Sequence, residues 1–167
     1  MVKSLKLYKN FNIKSQHKNS ILLIGNFDGL HLGHQKLFSL ANKYKKKYLL
    51  KIGVLTFEPM PKMFFDNNLI NFRLSNYQQK INLLKKFKVD FIIIKKFNKK
   101  FSKIKSINFI KKSLTEKLRP KFVFVSNNFR FGNKREGSVK QLINYETLCN
   151  YKVIKPTPLV KKKKIVS

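Results

Sequence analysis

Residues 21–35 read ILLIGNFDGLHLGHQ, and this stretch decides the fold. Its apolar start predicts a buried strand over Ile21–Asn26, which ends in a turn of glycine and aspartate. Beyond the turn, apolar residues recur at the spacing of one helix face, which predicts a helix from Gly33 to about Lys47. The segment therefore predicts a strand, a tight turn and a helix, with two histidines where the helix starts.

The turn between this strand and helix has the residues of an anion site. A helix N-terminus offers unpaired N–H donors and a partial positive charge. Gly25 and Gly29 would let the backbone turn and approach a ligand, and Gly33 leaves room for a nucleotide against the helix. His31 and His34 would then donate hydrogen bonds to phosphate oxygens. The alternative is an ordinary turn that carries two surface histidines.

Four more strand patterns alternate with helical patterns, which predicts βαβ units and a parallel sheet. We expect an α/β, Rossmann-like fold, with a doubly wound, mainly parallel five-stranded sheet and helices on both faces. The further predicted strands are Leu49–Phe57, Asp90–Lys95, Lys121–Ser126 and Tyr151–Lys155, and the further helices contain Tyr77–Lys88, Ser106–Leu118 and Ser138–Asn150.

The segments between these patterns are expected to be irregular. Residues 1–19 form a polar leader with room for one short first strand at Leu5–Tyr8, and His17 within it is expected at the surface. Residues 62–75 and 127–137 are predicted as loops. The lysine run Lys161–Lys164 is predicted to be a solvated segment.

The charge of the chain is strongly positive, with 38 Lys and Arg against 7 Asp and Glu and a formal net charge of +31. Only four of the 38 are Arg, whereas Lys, Asn, Ile and Phe, which have A/T-rich codons, are all frequent. Compositional bias of a genome would give this pattern, and no nucleic-acid-binding module is recognisable. We therefore expect no specific nucleic-acid partner, although a basic RNA-binding protein remains an alternative.

Composition also narrows the class of protein. Hydrophobic residues make up 43% of the 167 residues, enough for a buried core. No apolar run approaches the ~20 residues that span a bilayer, so we expect no membrane segment. The lone Cys149 excludes an internal disulfide and a cysteine zinc cluster, and the cytoplasm is the expected compartment.

The segment His31-Leu32-Gly33-His34 resembles the HxGH signature of the nucleotidylyltransferase superfamily. The longer string GNFDGLHLGHQ resembles a narrower group, the FMN adenylyltransferase (FAD synthetase) domain of prokaryotic bifunctional riboflavin kinase/FAD synthetases. Residues 56–61, TFEPMP, are similar to that family's TFEPHP, and residues 101–114 to its F-x-x-L-S-x-x-x-F-I segment. Residues 125–137, which contain NFRFG, are similar to its VGxDFRFGxxxxG.

The resemblance implies adenylyl transfer from ATP to FMN, with FAD and pyrophosphate as products and Mg²⁺ held mainly by phosphates and waters. It implies His31 and His34 as catalytic residues, and no protein side chain as metal ligand. The nucleotide-binding residues that it implies are Gly25, Asn26, Phe27, Asp28, Gly29, Gly33, Asn128, Phe129, Arg130, Phe131 and Gly132. The flavin-binding residues that it implies are Phe57, Pro59, Pro61 and Arg73.

The sequence departs from the family pattern at three positions and at its end. Met60 replaces a histidine, Ser126 a glycine and Asn128 an aspartate. The sequence stops where an SSTxIR-like motif would begin, so residues 20–167 are expected to form a truncated nucleotidylyltransferase domain without the riboflavin kinase domain. Two alternatives stay open: a nucleotidylyltransferase with another acceptor, and a fragment that binds nucleotide without turnover.

Overall fold

The computed structural model describes residues 4–29, 31–66, 68, 76–157, 159–161 and 164–166. The strands are β1 (Lys6–Tyr8), β2 (Ile21–Ile24), β3 (Ile52–Glu58), β4 (Phe91–Lys96), β5 (Phe122–Phe124), β6 (Arg130–Phe131), β7 (Gly137–Ser138), β8 (Lys152–Ile154), β9 (Leu159–Lys161) and β10 (Lys164–Val166). The helices are α1 (Leu32–Tyr48), α2 (Pro61–Phe65), α3 (Tyr77–Lys86), α4 (Lys99–Ser102), α5 (Ser106–Asn108), α6 (Val139–Asn144) and α7 (Glu146–Cys149). A π-helical segment, Phe109–Leu118, continues α5, and single 3₁₀ turns form at Ser15–His17 and Asn133–Arg135.

A six-stranded sheet forms the centre of the fold, with strand order β1-β4-β3-β2-β5-β8 and every pairing parallel. The predicted parallel α/β sheet is thus confirmed, with the short first strand added at its edge. From β2 the chain moves outward through β3 and β4 and then returns to place β5 on the other side of β2. This reversal creates a crevice beyond the carboxyl ends of β2 and β5, the position at which such sheets bind ligands.

Helices cover both faces of the sheet because the strand residues alternate between two apolar layers. Ile21 and Leu23 pack in one layer with side chains of α1 and α3. Leu22 and Ile24 pack in the other layer, with the π-helical segment and α6. The predicted doubly wound arrangement is confirmed. In the described ranges, no helix combines the length and apolar character needed to cross a membrane.

One residue of the leader differs from its expected position. His17, expected at the surface, is 5% exposed. The Tyr8 hydroxyl lies 2.6 Å from His17 Nδ1. The imidazole of His17 stacks on the ring of Phe91, with 4.5 Å between centroids. His17 is buried because β1 pairs with β4 and carries the following segment over the sheet edge.

Several boundaries also differ from the sequence pattern. Residues 138–150, predicted as one helix, form a strand residue followed by α6 and α7. The predicted loop at 127–137 contains the antiparallel pair β6 and β7, and α2 forms near the start of the predicted loop at 62–75. Lys161 and Lys164, the two ends of the predicted solvated run, pair with each other where β9 meets β10.

Candidate active site

His31 is the N-cap residue of α1. Its φ and ψ of −66° and 176° are extended, and its Nδ1 accepts a hydrogen bond of 3.1 Å from the Gly33 backbone N–H. A ring nitrogen that accepts carries no hydrogen, so the ring hydrogen is on Nε2. The side chain therefore caps the helix with one nitrogen and leaves an N–H to donate from the other, on an exposed side chain.

His34 lies one helical turn further along and stacks on His31, with 3.8 Å between ring centroids and 23° between ring planes. The pKa of His34 is lowered from 6.5 to about 4, mainly by burial and in smaller part by His31, while Asp28 opposes the shift. His34 is thus neutral near pH 7. Its Nδ1 is buried without a hydrogen-bond partner in the described part of the chain.

The loop Gly25–Gly29 connects β2 to this helix. The Gly25 N–H donates to the Leu55 carbonyl at 3.1 Å, which extends the ladder between β2 and β3. Phe27 and Gly29 have φ values of +50° and +71°, the left-handed region that costs a phenylalanine more than a glycine. The Phe27 ring is 1% exposed, so the loop presents its backbone rather than this ring to a ligand.

A second concave surface, here called the aromatic pocket, opens beside the carboxyl ends of β3 and β5. Aromatic rings make up most of its lining, which also includes three cationic residues, Arg130, Lys134 and Arg135. Its lining includes Phe57, Pro61, Phe65, Phe97, Phe101, Ile104, Phe109, Phe129, Phe131 and Gly132. The rings contact one another at centroid distances such as 5.7 Å for Phe57 with Phe101 and 5.5 Å for Phe129 with Phe131.

One wall of the aromatic pocket forms where two sequence motifs meet. Gly132 has a φ of +80°, and a Cβ on it would lie 2.7 Å from the Ser106 backbone nitrogen. The Asn133 N–H donates to the Ile104 carbonyl at 2.8 Å, and the Ser106 N–H donates to Glu136 Oε1 at 2.8 Å. These contacts fix the NFRFG segment against the residues that precede the π-helical segment.

The predicted site residues divide between these two places. Gly25–Gly29, Gly33 and the histidine pair lie on the side of β2 and α1. Phe129–Gly132, predicted to bind nucleotide, line the aromatic pocket together with the predicted flavin residues Phe57 and Pro61. Pro59 follows β3 and is absent from that lining, and Arg73 lies outside the described residues.

Several lining residues of the aromatic pocket were not predicted as site residues. Phe97, Lys134 and Arg135 are examples, and Phe101 is another. The signal for Phe101 was present in the sequence, because it begins the segment that is similar to F-x-x-L-S-x-x-x-F-I. Its place in the pocket is visible only in the structure, where this segment and Gly132 lie together.

The three departures from the family pattern are accommodated locally. Met60 is 3% exposed and is the N-cap residue of α2. The Ser126 hydroxyl lies 3.1 Å from Asn128 Oδ1 and donates to it, so two of the replaced residues bond to each other. Asn127 donates to the Pro156 carbonyl at 2.8 Å, which joins this loop to the segment after β8.

A parallel α/β sheet with a histidine pair at the helix that follows its central strand defines a Rossmann-like protein of the HxGH type. The FAD synthetase family model matches residues 13–167, and the chain belongs to that family. The match covers the histidine pair, the aromatic pocket and every strand of the sheet except β1.

The names of similar proteins agree with this family. The chain is 42% identical over 154 residues to a bifunctional riboflavin kinase/FMN adenylyltransferase of Buchnera aphidicola subsp. Schizaphis graminum, covering 92% of this chain and 49% of that protein. It is 35% identical over 135 residues to the protein of the same name from Escherichia coli K12, covering 80% and 43%. The chain thus spans about half the length of these relatives.

Solved structures support the fold. A Streptococcus pneumoniae structure titled as a macrolide-efflux protein superposes with a TM-score of 0.81 and 26% identity, over 96% of this chain and 52% of that one. A pantoate-beta-alanine ligase of Francisella tularensis, complexed with "beta-gamma ATP" and beta-alanine, superposes with a TM-score of 0.62 and 16% identity, over 98% of this chain and 71% of that one. The second likeness concerns the fold alone.

Proposed function

We propose that this chain is an FMN adenylyltransferase, which transfers AMP from ATP to FMN and yields FAD and pyrophosphate. The observation that carries the proposal is the stacked pair of His31 and His34 at the N-terminus of α1, beside the crevice where the sheet reverses its strand order. Unpaired backbone donors and imidazole N–H groups at this point suit the phosphates of ATP.

The aromatic pocket supplies the second half of the proposal. Its rings offer the faces and edges on which a planar isoalloxazine could pack. Phe57 lies near the end of β3 and Phe129 lies after β5, the two strands that flank β2, so a flavin there would be close to a nucleotide at α1. Arg130 and Arg135 suit a phosphate because guanidinium groups bind it bidentately.

The reaction needs no general base. An oxygen of the FMN phosphate, already an anion, forms a bond to the α-phosphorus of ATP in line with the leaving group. The bond from that phosphorus to the oxygen shared with the β-phosphate breaks, and pyrophosphate leaves. Orientation of the two substrates can contribute ~7–11 kcal/mol, and each positioned donor to the developing charge ~3–4 kcal/mol.

His31 and His34 would be those donors. His31 carries its hydrogen on Nε2, and neutral His34 also has one ring N–H, so each has one N–H to donate to the phosphates. The end of α1 by itself would add only ~0.3–1 kcal/mol. The histidine pair must therefore contribute more to the rate than the helix dipole.

Mg²⁺ would enter bound to ATP and neutralise phosphate charge. Within the described ranges, His, Cys, Asp and Glu side chains form no group of three or more that could hold a metal ion. The ion would therefore be bound mainly by phosphates and waters, as is usual for Mg²⁺. We place the reaction in the cytoplasm, where ATP is available.

The test is FAD formation by the purified chain with ATP, Mg²⁺ and FMN, followed by chromatography. Riboflavin is the control acceptor, because it lacks the attacking phosphate oxygen. FAD from FMN but not from riboflavin supports the proposal. ATP binding without FAD formation would overturn the transfer step, and adenylylation of another acceptor instead of FMN would overturn the choice of substrate.

A further inference from the structure

Lys80 is a buried cation that the reaction described above does not use. It lies in the middle of α3 and is 5% exposed, whereas Lys85 and Lys86 of the same helix are exposed. Burying an ammonium group is costly unless hydrogen-bond partners hold it. The position of this side chain therefore needs a reason in the molecule.

The Lys80 ammonium group is linked to the loop after β2 through one hydroxyl. Lys80 Nζ lies 3.4 Å from Thr56 Oγ1, and that hydroxyl donates to the Asn26 carbonyl at 3.2 Å. A hydroxyl has one hydrogen, which Thr56 gives to Asn26, so Thr56 accepts from Lys80. Thr56 is itself 1% exposed, so water does not compete for either bond.

The loop at the end of this chain of bonds is conformationally costly. Asn26 opens it, and Phe27 and Gly29 then take positive φ values. A non-glycine residue in the left-handed region persists only when its surroundings enforce the geometry. The bond from Thr56 to Asn26 is placed one residue before Phe27, where such support is needed.

We propose that Lys80 is a positioning residue for the nucleotide: through Thr56 it fixes the Asn26 carbonyl, and so the backbone of the Asn26–Gly29 loop, in the shape that receives the ATP phosphates. This inference rests on the proposed function. It assigns Lys80 no contact with substrate, and it predicts that loss of the amine weakens ATP binding rather than FMN binding.

The experiment compares Lys80→Met, Thr56→Val and the double variant with the wild type, measuring KM for ATP, KM for FMN and kcat. Lys86→Met, on an exposed face of the same helix, is the matched control. We expect KM for ATP to rise at least tenfold in each single variant and KM for FMN to stay within twofold. We expect the double variant to resemble the singles, because both residues act through one chain of bonds.

Thr56→Ser keeps the hydroxyl, and we expect it to restore most of the ATP affinity that Thr56→Val loses. An unchanged KM for ATP, effects that multiply in the double variant, or an equal rise in KM for FMN would overturn the proposal. If Lys80→Met does not fold, the two Thr56 variants decide alone. Calorimetric ATP titration of the folded proteins tests the inference even where no FAD forms, which separates its failure from that of the proposed function.

Discussion

The ring of Phe27 stands edge-on against the imidazole of His34, with 5.2 Å between their centroids and 65° between their planes. Phe27 also contacts Phe38, a fully buried residue of α1. A residue of the loop and a residue of the helix are therefore packed as one unit. The burial that lowers the pKa of His34 is provided in part by this contact.

Phe27→Leu should loosen that unit. Removal of the aromatic ring exposes more of His34, so we expect the pKa of His34 to rise from about 4 toward its ordinary 6.5. The free energy of unfolding should fall by about 1–1.5 kcal/mol, the usual cost of an imperfect apolar exchange. NMR titration of the histidine rings measures the first effect, and an unchanged pKa would show that Phe27 does not shield His34.

His31→Asn and His31→Ala should separate capping from catalysis. Asparagine is a strong N-cap residue, so only the alanine variant should lose about 1 kcal/mol of unfolding free energy. Both remove the Nε2–H donor, so both should lower kcat for FAD formation about 100-fold. Denaturant unfolding and steady-state kinetics measure the two effects. Near-normal kcat in His31→Asn would exclude His31 as a donor to the phosphates.

His17 should make the fold sensitive to acid. Burial, reinforced by Lys51, lowers its pKa below 6.5 in the folded chain, and Asp90 opposes the shift. The unfolded chain therefore binds more protons below about pH 6.5, so the free energy of unfolding should decrease as the pH falls from there. His17→Asn retains an acceptor for the Tyr8 hydroxyl but does not titrate.

The test of His17 is the difference in thermal midpoint between wild type and His17→Asn across pH 7 to 5. We expect the wild type to lose stability relative to the variant toward pH 5. At position 17, the wild type has a histidine that takes up a proton on unfolding, and the variant has an asparagine that does not. A difference that is constant with pH would contradict the lowered pKa. His34 has the same direction of shift, and since it is present in both proteins its contribution cancels.

Gly132→Ala should damage the aromatic pocket specifically. An added Cβ would be strained at a φ of +80° and would meet the backbone of Ser106 at 2.7 Å. We expect a loss of about 2 kcal/mol in the free energy of unfolding and at least a tenfold weaker FMN binding.

Gly53→Ala is the control for this effect, since its Cβ would overlap the ring of Phe91 in the sheet, away from the aromatic pocket. It should lower stability while the folded fraction binds FMN normally, as measured by flavin fluorescence titration. Equal losses of FMN affinity in both variants would show that Gly132 acts through general stability alone.

The sheet and the histidine pair were predictable because local signals determine them. Ile21–Ile24 is apolar on both faces, as a central parallel strand requires. The glycines and histidines of the site follow it within one short segment of the sequence. The burial of His17 was not predictable, because it depends on pairing of the leader with a strand far along the chain. The aromatic pocket was only partly predictable, because Phe101 and Gly132 meet in space and not in sequence.

The parallel pairing of β1 with β4 joins residues 85 positions apart, such as Lys6 and Phe91. On a ribosome that adds ~5–20 residues per second, the first strand waits roughly 4–17 s for its partner to be made. During that interval the growing chain can form β2, α1 and β3, which pair with nearer neighbours. Strand β1 is thus made well before β4 and docks late, so nascent chains halted before residue 91 should have a leader that proteases can still cut.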